Sequence, residues 1–278
     1  MYRGFGLQRM ADQCFSTKDD MGKGRQMPVH YGAADLNFHT ISSPLTTQLP
    51  QAAGSALALR LAGEDQIVAC FFGEGAASEG DFHAGLNFAA VLNAPVMFIC
   101  RNNGFAISTK SSEQFRGDGI APRALGYGMK AMRVDGNDAL AVLAATRTLR
   151  AHILEKKEPV LLELMSYRGG HHSTSDDASR YRTDAEVKAW EGMAPVGRFA
   201  EWMKANGHLE EGELETMRAD ARKATLAAVE SSESKGPPDV STLFEDVYDG
   251  EMPKNLQRQK KELDEHLAKY PNAYGEGH

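Results

Sequence analysis

The chain has 278 residues, of which 42% are hydrophobic, and a formal net charge of −7 at pH 7. This length and composition predict a globular protein with a large core, and the negative charge argues against nucleic acid as a partner. No apolar run approaches the roughly 20 residues that a membrane-spanning helix needs. The cysteines lack metal-binding spacing, so we expect core thiols in a reducing compartment.

The N-terminal part predicts loops before the first long helix. No signal sequence opens the chain, and Met1-Tyr2-Arg3 is expected to lie inside a helix. We therefore expect the chain to be N-terminally incomplete, which would hide any presequence. Residues 17–43 are predicted to be mostly loop. Within them, Gly22-Lys23-Gly24-Arg25 lacks the spacing of a phosphate loop and favours a solvated basic turn. The hydroxyls of residues 41–48 are expected to cap a helix over about residues 49–63.

Two apolar segments flank a further helix and predict a strand–helix–strand unit. The strands are predicted as buried strands over residues 67–72 and 96–100. The helix is predicted to follow a capping box of Ser78 and Asp81 and to end near Leu92. A right-handed crossover places the ends of both strands at one edge of a parallel sheet, where open sheets bind ligands.

Polar residues follow both strands. Glu74 lies between Gly73 and Gly75 after the first strand, and Arg101 and Asn103 follow the second. A carboxylate, an amide oxygen and a cation at one edge suit Mg²⁺ bound to a phosphorylated ligand. The glycines would let the backbone approach a bulky anion and adopt angles closed to other residues. An ordinary turn with a solvated glutamate is the alternative.

The next segments predict more of the same sheet. Arg116-Gly117-Asp118-Gly119 repeats a Gly-Asp-Gly pattern, but no apolar strand precedes it, so a surface loop is predicted. A short strand at residues 132–134, a helix capped by Asn137 and a buried strand at Val160–Met165 follow. Together these elements predict an α/β fold with a doubly wound, mainly parallel sheet.

A polar loop after the last strand is expected at the same edge as Glu74. It contains the adjacent pair His171 and His172, followed by Asp176 and Asp177. A metal site is disfavoured, because adjacent histidines project in different directions. A solvated loop is one hypothesis. A histidine that acts as an acid or base beside a cofactor is the other.

From Asp184 onward the sequence is helical and charged. Pro195 separates two helices, and further helices are predicted near residues 210–230 and 253–270. We therefore predict an α/β domain over residues 1–205 and a helical C-terminal extension over residues 206–278.

Four stretches carry a resemblance to a known family. GEGAASEG followed by RNNGFAIST is similar to the thiamine diphosphate motif, and with GKGRQMPVHY and YRGGHHSTSDDASRYR it resembles the alpha subunits of branched-chain 2-oxoacid dehydrogenases. The resemblance implies the thiamine diphosphate-binding fold and covers nearly the whole chain. It implies that Glu74, Asn103 and the backbone carbonyl of Phe105 ligate Mg²⁺, and that Arg101 holds the diphosphate. Gly75 and Ala76 would lie beside the cofactor.

The same resemblance implies a potassium site in the loop before the first long helix. Its ligands would come from Ser42, Pro44, Thr47 and Gln48, since oxygen ligands suit a hard cation. The backbone around Ser43 and Leu45 would contact the aminopyrimidine of the cofactor.

The resemblance also assigns the polar loop. His172 would lie at the reacting end of the cofactor and assist catalysis, and Ser173 and Thr183 would be phosphorylation sites. A phosphate on Ser173 adds about −1.5 to −2 charge beside acidic residues, which is expected to disorder the loop. The residues expected to hold the loop in its ordered form are Asp176, Arg180, Tyr181 and Arg182.

The activity implied is the thiamine diphosphate-dependent oxidative decarboxylation of branched-chain 2-oxoacids, with acyl transfer to lipoyl groups. The implied partners are a beta subunit in an α2β2 heterotetramer, a lipoyl-bearing acyltransferase core, and a regulatory kinase and phosphatase. Neither nucleic acid nor membrane insertion is expected, and the location would be the mitochondrial matrix, or the cytoplasm in a bacterium. A pyruvate or acetoin dehydrogenase alpha subunit and a catalytically inactive homologue are the alternatives.

Overall fold

The structure is a computed structural model, and it describes residues 1–271 and residue 273. The chain divides into two compact units, unit 1 with residues 1–43 and 212–278, and unit 2 with residues 44–211. The sequence predicted a boundary after residue 205 and placed the first 43 residues with the sheet. That domain assignment stays a prediction, and residues 272 and 274–278 of its extension lie outside the described residues.

The described helices and strands have the following bounds in chain order: α1 (Leu7–Cys14), α2 (Gln48–Leu61), β1 (Val68–Gly73), α3 (Gly80–Val91), β2 (Val96–Asn102), β3 (Phe105–Ala106), β4 (Thr109–Lys110), α4 (Ser111–Gln114), β5 (Lys130–Asp135), α5 (Ala139–Lys156), β6 (Val160–Met165), α6 (Asp184–Glu191), α7 (Pro195–Ala205), α8 (Glu213–Glu233) and α9 (Lys254–Lys269). No helix among the described residues is long and apolar enough to cross a membrane.

A parallel sheet in the order β1-β2-β6-β5 forms the centre of unit 2. The interior strands β2 and β6 are apolar over most of their length because helices cover both faces of the sheet. Helices α2 and α3 contribute to the core on one face, and α5 contributes to the core on the other. The predicted α/β fold with a mainly parallel sheet and a helical C-terminal region is therefore confirmed.

The register of the strands brings their carboxyl ends to one edge. Gly73 at the end of β1 lies opposite Arg101 on β2, and Asn102 lies opposite Met165 at the end of β6. The turns that follow β1, β2 and β6 therefore begin side by side, as the crossover rule predicts.

The first strand is less buried than its sequence indicated. β1 is an edge strand among the strands that the structure describes, and its side chains alternate between buried and exposed. Phe71 is 68% exposed, so the prediction of a fully buried strand is wrong there.

Three helix caps differ from prediction. Ser78 lies in a single 3-10 turn, and α3 begins after Glu79 without a side-chain cap hydrogen bond, so the capping box is wrong. The cap of α5 is Asp138, which accepts two N–H groups of the first turn, instead of Asn137. The hydroxyl of Thr47 makes no cap hydrogen bond to α2 and donates to the carbonyl oxygen of Pro44.

Unit 1 contains the predicted N-terminal loop. Residues 1–6 precede α1, so the expectation that the chain begins inside a helix is wrong. The predicted basic turn is present with Arg25 exposed, and its cations are also ion-paired. The ammonium of Lys23 lies 2.7 Å from Glu245 and 2.6 Å from Asp246, and Arg25 lies 3.0 Å from Asp246.

Candidate active site at the carboxyl ends of the strands

Glu74 and Asn103 meet at the tips of β1 and β2. The backbone N–H of Asn103 donates to Oε2 of Glu74 at 3.1 Å. Glu74 is 1% exposed, and its Oε1 atom is buried without a hydrogen-bond partner among the described residues. The hypothesis of a solvated glutamate in an ordinary turn is therefore wrong.

The buried carboxyl of Glu74 is electrostatically unsatisfied. Burial raises the pKa of Glu74, against the opposing effects of the N–H groups of Asn103 and Phe105 and the positive charge of Arg168. A buried carboxylate oxygen without a donor costs free energy unless a cation reaches it. This donor set therefore fits a hard divalent cation.

The turn after β2 is held by asparagine side chains. Oδ1 of Asn103 accepts the N–H of Phe105 at 3.1 Å, and Oδ1 of Asn102 accepts the N–H of Gly104 at 3.1 Å. Gly104 has a φ of +84°, a conformation that favours glycine. The amide oxygen of Asn103 keeps a lone pair with which to bind a cation.

Gly75 allows a close backbone approach. A Cβ atom there would lie 2.6 Å from the Cβ of Ala106, so no larger residue fits without movement. Gly75 has a φ of −63°, and Gly73 also lacks a positive φ, so the prediction that both adopt angles closed to other residues is wrong. Ala76 follows in a buried 3-10 turn.

Arg101 is exposed at the end of β2. Side chains alternate along a strand, so its guanidinium leaves the opposite face of β2 from the amide of Asn102. The predicted contact of Arg101 with a diphosphate stays a prediction.

The polar loop after β6 contacts the turn after β2 through Phe105. The ring centroid of Phe105 lies 5.9 Å from that of Tyr181 and within 6 Å of the guanidinium carbons of Arg168 and Arg182. Arg168 also donates to the carbonyl oxygen of Ile107 at 2.6 Å. The two polar stretches that the sequence singled out therefore meet.

Internal hydrogen bonds order this loop. Asp176 accepts the N–H of His172 at 2.7 Å and the hydroxyl of Tyr181 at 2.5 Å. Arg182 donates to the carbonyl oxygens of Arg168 and Gly170. Three of the four residues expected to hold the loop do so. The fourth, Arg180, has a side chain that is 84% exposed and, among the described residues, pairs with Asp177.

The loop exposes its candidate functional residues. His172 and Ser173 are exposed, and the Ser173 hydroxyl lies 3.2 Å from that of Ser175. Nδ1 of His171 accepts the N–H of Ala178. No cluster of three or more His, Cys, Asp or Glu that could hold a metal occurs among the described residues. Thr183 caps α6, with its hydroxyl oxygen 3.2 Å from the N–H of Glu186.

The loop before α2 falls in both units. In unit 2, Pro44 and Leu45 are exposed, and the side-chain amide of Gln48 donates to the carbonyl oxygen of Phe71 at 3.1 Å. Ser42 and Ser43 belong to unit 1. The potassium site and the aminopyrimidine contacts stay predictions.

Sequence reasoning missed Glu163 on β6. Its side chain is fully buried one strand away from the turn after β2, and it accepts a hydrogen bond from Asn102 at 2.8 Å. A charged residue in an otherwise apolar strand was the available signal, because a buried charge requires partners.

The parallel sheet and its flanking helices define an α/β protein, with a buried, unpartnered carboxylate at the carboxyl edge of the sheet. Sequence comparison gives its family. The profile of the family described as "Dehydrogenase E1 component" matches residues 1–241, and the chain belongs to that family. Membership implies thiamine diphosphate as the cofactor.

Named relatives extend over the whole chain. The chain is 51% identical over 278 residues to the mitochondrial 2-oxoisovalerate dehydrogenase subunit alpha 1 of Arabidopsis thaliana, covering 100% of this chain and 59% of the relative. It is 51% identical to the mouse and 49% identical to the human mitochondrial 2-oxoisovalerate dehydrogenase subunit alpha, each over 99% of this chain and 62% of the relative. The chain thus spans about three fifths of the length of these relatives.

A solved structure from Mycobacterium smegmatis, described as a thiamin diphosphate-dependent enzyme, matches 47% of this chain and 24% of its own at 26% identity. Its TM-score is 0.38, too low to bear on the fold.

Proposed function

We propose that the chain forms part of the alpha subunit of a 2-oxoacid dehydrogenase and acts in the oxidative decarboxylation of branched-chain 2-oxoacids. The unpartnered, buried Oε1 atom of Glu74 beside the Asn103 turn is the observation that carries the site. The names of the relatives, all 2-oxoisovalerate dehydrogenase alpha subunits, support the substrate class.

In this proposal, Mg²⁺ is held by Glu74, Asn103 and the backbone carbonyl of Phe105. Arg101 and the backbone at Gly75 hold the diphosphate, with Ala76 beside it. The backbone at Ser43 and Leu45 contacts the aminopyrimidine. Potassium ligands come from Ser42, Pro44, Thr47 and Gln48.

When bound, thiamine diphosphate would supply a thiazolium ring as the electron sink for decarboxylation. Phe105 and Arg168 fix the polar loop against the turn that would hold the metal. His172 lies on that loop and is the residue proposed to hold or move a proton at the reacting end of the cofactor. Its exposure would also let it meet an incoming lipoyl group.

The proposal extends to assembly and regulation. A beta subunit completes the active site in an α2β2 heterotetramer, and a lipoyl-bearing acyltransferase core receives the acyl group. The relatives' names place them in mitochondria, and we propose the mitochondrial matrix for this chain. Ser173 and Thr183 would be phosphorylated by a dedicated kinase and dephosphorylated by a phosphatase.

Co-expression with a beta subunit and a decarboxylation assay with several 2-oxoacids test this function. We expect turnover of branched-chain 2-oxoacids by the complex, and no turnover by the chain alone. Turnover of pyruvate alone would show a pyruvate-specific alpha subunit. An assembled complex without activity on any 2-oxoacid would show an inactive homologue.

A further inference from the structure

Glu163 lies at the centre of the sheet with no contact to solvent. It stands on β6, opposite Cys100 on β2 and opposite Arg133 on β5. Its side chain is 0% exposed. An ionised carboxylate at such a position is costly unless its oxygens accept several hydrogen bonds, so its partners indicate what it does.

Four donors reach this carboxylate. Oε1 accepts the side-chain amide of Asn102 at 2.8 Å and the N–H of Ile120 at 2.9 Å. Oε2 accepts the N–H of Ala121 at 2.8 Å and Nε of Arg133 at 2.9 Å. Burial raises the pKa of Glu163, but these donors together outweigh it and hold the pKa below its ordinary value. The group is therefore an ionised acceptor.

An ionised carboxylate fixes which way the Asn102 amide points. Because the carboxylate can only accept, Asn102 must turn its NH₂ group toward Glu163. Its Oδ1 atom is then left to accept the N–H of Gly104 at 3.1 Å. Asn102 is itself buried, so no water replaces either contact cheaply.

The turn fixed in this way is the one that presents the proposed metal ligands. Gly104 stands between Asn103 and Phe105 and has a positive φ. The N–H of Asn103 reaches Glu74 at 3.1 Å, and Oδ1 of Asn103 accepts the N–H of Phe105. The orientation of one buried amide thus connects Glu163 to the backbone of residues 103–105.

The Gly-Asp-Gly sequence that resembled a cofactor motif closes over Glu163. Asp118 pairs with Arg133 at 3.0 Å, and Gly119 has a φ of +71°. A Cβ atom on Gly119 would lie 2.4 Å from Nη2 of Arg133 and 2.8 Å from Oε1 of Glu163. The glycine therefore lets the loop cover the carboxylate and bring the N–H groups of Ile120 and Ala121 to it.

We propose that Glu163 is a positioning residue for the metal site: by orienting the Asn102 amide, it sets the conformation of residues 102–105 in which Asn103 and Phe105 bind the cation. This role rests on the proposed function, since it requires a metal at Glu74. Partners that orient metal ligands affect metal affinity without touching the ion.

Metal affinity of the purified complex tests the role without an activity measurement. Mn²⁺ serves as a paramagnetic substitute for Mg²⁺, and its Kd is measured by electron paramagnetic resonance in the presence of thiamine diphosphate. We expect Glu163→Gln and Asn102→Leu each to raise the Kd by about 10- to 100-fold, the range found for residues that orient metal ligands.

Arg133→Leu is the matched control. It removes one donor from Glu163 and lowers the melting temperature, but it leaves the contact between Glu163 and Asn102 in place. We expect the Kd of this variant for Mn²⁺ to stay within about twofold of the Kd of the unmodified complex, since Arg133 lies outside the turn of residues 102–105. An increase in Kd as large as that of Asn102→Leu would show general destabilisation and overturn the proposal.

The double variant tests whether Glu163 acts through Asn102. In the Asn102→Leu background, Glu163→Gln should change the Kd by no more than about twofold, because the connection is already broken. Multiplicative losses would overturn the proposal. If Glu163→Gln does not fold, the Kd values for Mn²⁺ of Asn102→Leu and Arg133→Leu are compared. Equal values would still overturn the proposal.

The Glu74→Ala variant distinguishes a failure of the positioning role from a failure of the proposed metal site on which that role rests. Loss of Mn²⁺ binding in Glu74→Ala with an unchanged Kd in Asn102→Leu would refute only the positioning role. Unchanged binding in Glu74→Ala would refute the metal site itself.

Discussion

Arg182 shows how one side chain can order a loop. It is 5% exposed, and its guanidinium carbon lies 5.3 Å from the ring centroid of Tyr167 and 5.7 Å from those of Phe105 and Tyr181. Its planar fork also donates to two carbonyl oxygens of the loop. A lysine keeps the charge but lacks the planar arrangement of N–H donors and the planar surface with which a guanidinium group stacks on aromatic rings.

Arg182→Lys should therefore loosen the polar loop. We expect the backbone amides of His172 and Ala178 to exchange hydrogen about tenfold faster, because about 1.5 kcal/mol is lost with one charge-assisted hydrogen bond. Hydrogen–deuterium exchange measures this.

Arg180→Lys is the control for that experiment, since its side chain is 84% exposed and makes one pair with Asp177. Equal exchange rates in the two variants would show that the loop does not depend on the buried guanidinium.

At the scale of elements, a buried ionic network joins α1 to the end of α8 in unit 1. Asp12 accepts hydrogen bonds from Nζ of Lys235 at 2.8 and 2.9 Å and from the hydroxyl of Ser232 at 2.9 Å. Gln8 and Thr17 donate to it as well. Burial raises the pKa of Asp12, but these donors reverse the effect and lower it below its ordinary value of 3.8.

The lowered pKa gives a stability that depends on pH. A carboxyl whose pKa is lower in the folded state stabilises the fold above its unfolded pKa, and this contribution disappears as the pH falls through the folded pKa. We expect Asp12→Asn to lose about 2–3 kcal/mol of unfolding free energy at pH 7. Urea unfolding should show this difference shrinking as the pH falls below 3.8.

Asp19→Asn makes the same chemical change at an exposed carboxylate 2.9 Å from the same lysine. It should cost less than about 1 kcal/mol. A loss that is the same for both variants, or that is independent of pH, would contradict the buried network.

At the scale of the whole molecule, the strands of the parallel sheet and the long helices were predicted from the sequence, because apolar runs and periodicity are local properties. Val160–Met165 was predicted with the bounds that the structure has. The caps were missed because a cap depends on the backbone angles of single residues. Asn137, the predicted cap, is buried instead and accepts a hydrogen bond from Ser166.

The candidate site was only partly predictable, because some of its contacts depend on the order of the strands in the sheet. The crossover rule predicted that Glu74 and Asn103 lie close together, since they follow the two strands of one strand–helix–strand motif. Glu163 became a neighbour of Asn102 only because β6 inserts between β2 and β5, and that strand order depends on tertiary packing. The same insertion explains why the Gly-Asp-Gly loop has a structural role that its sequence did not reveal.

Cofactor binding should stabilise the assembled protein as a whole. At free thiamine diphosphate and Mg²⁺ near 100 times Kd, linkage predicts about 2.7 kcal/mol, or a rise of roughly 5–10 °C in melting temperature. Removing the metal with EDTA should reverse the rise, and Glu74→Ala should abolish it. Differential scanning fluorimetry measures both.

Glu79→Ala is the control for the rise in melting temperature, because Glu79 is an exposed carboxylate five positions after Glu74. It should keep the full rise. A normal rise in the Glu74 variant would place the metal elsewhere.

The cap on α6 gives the two proposed phosphorylation sites opposite consequences. Ser173 belongs to an exposed segment next to two aspartates, where added negative charge meets repulsion. Thr183 instead begins a helix, and its oxygen already accepts an N–H of the first turn. A phosphoryl group there would keep an acceptor at the positive end of the helix dipole. Modification of Thr183 would thus strengthen the start of that helix, while modification of Ser173 would loosen its surroundings.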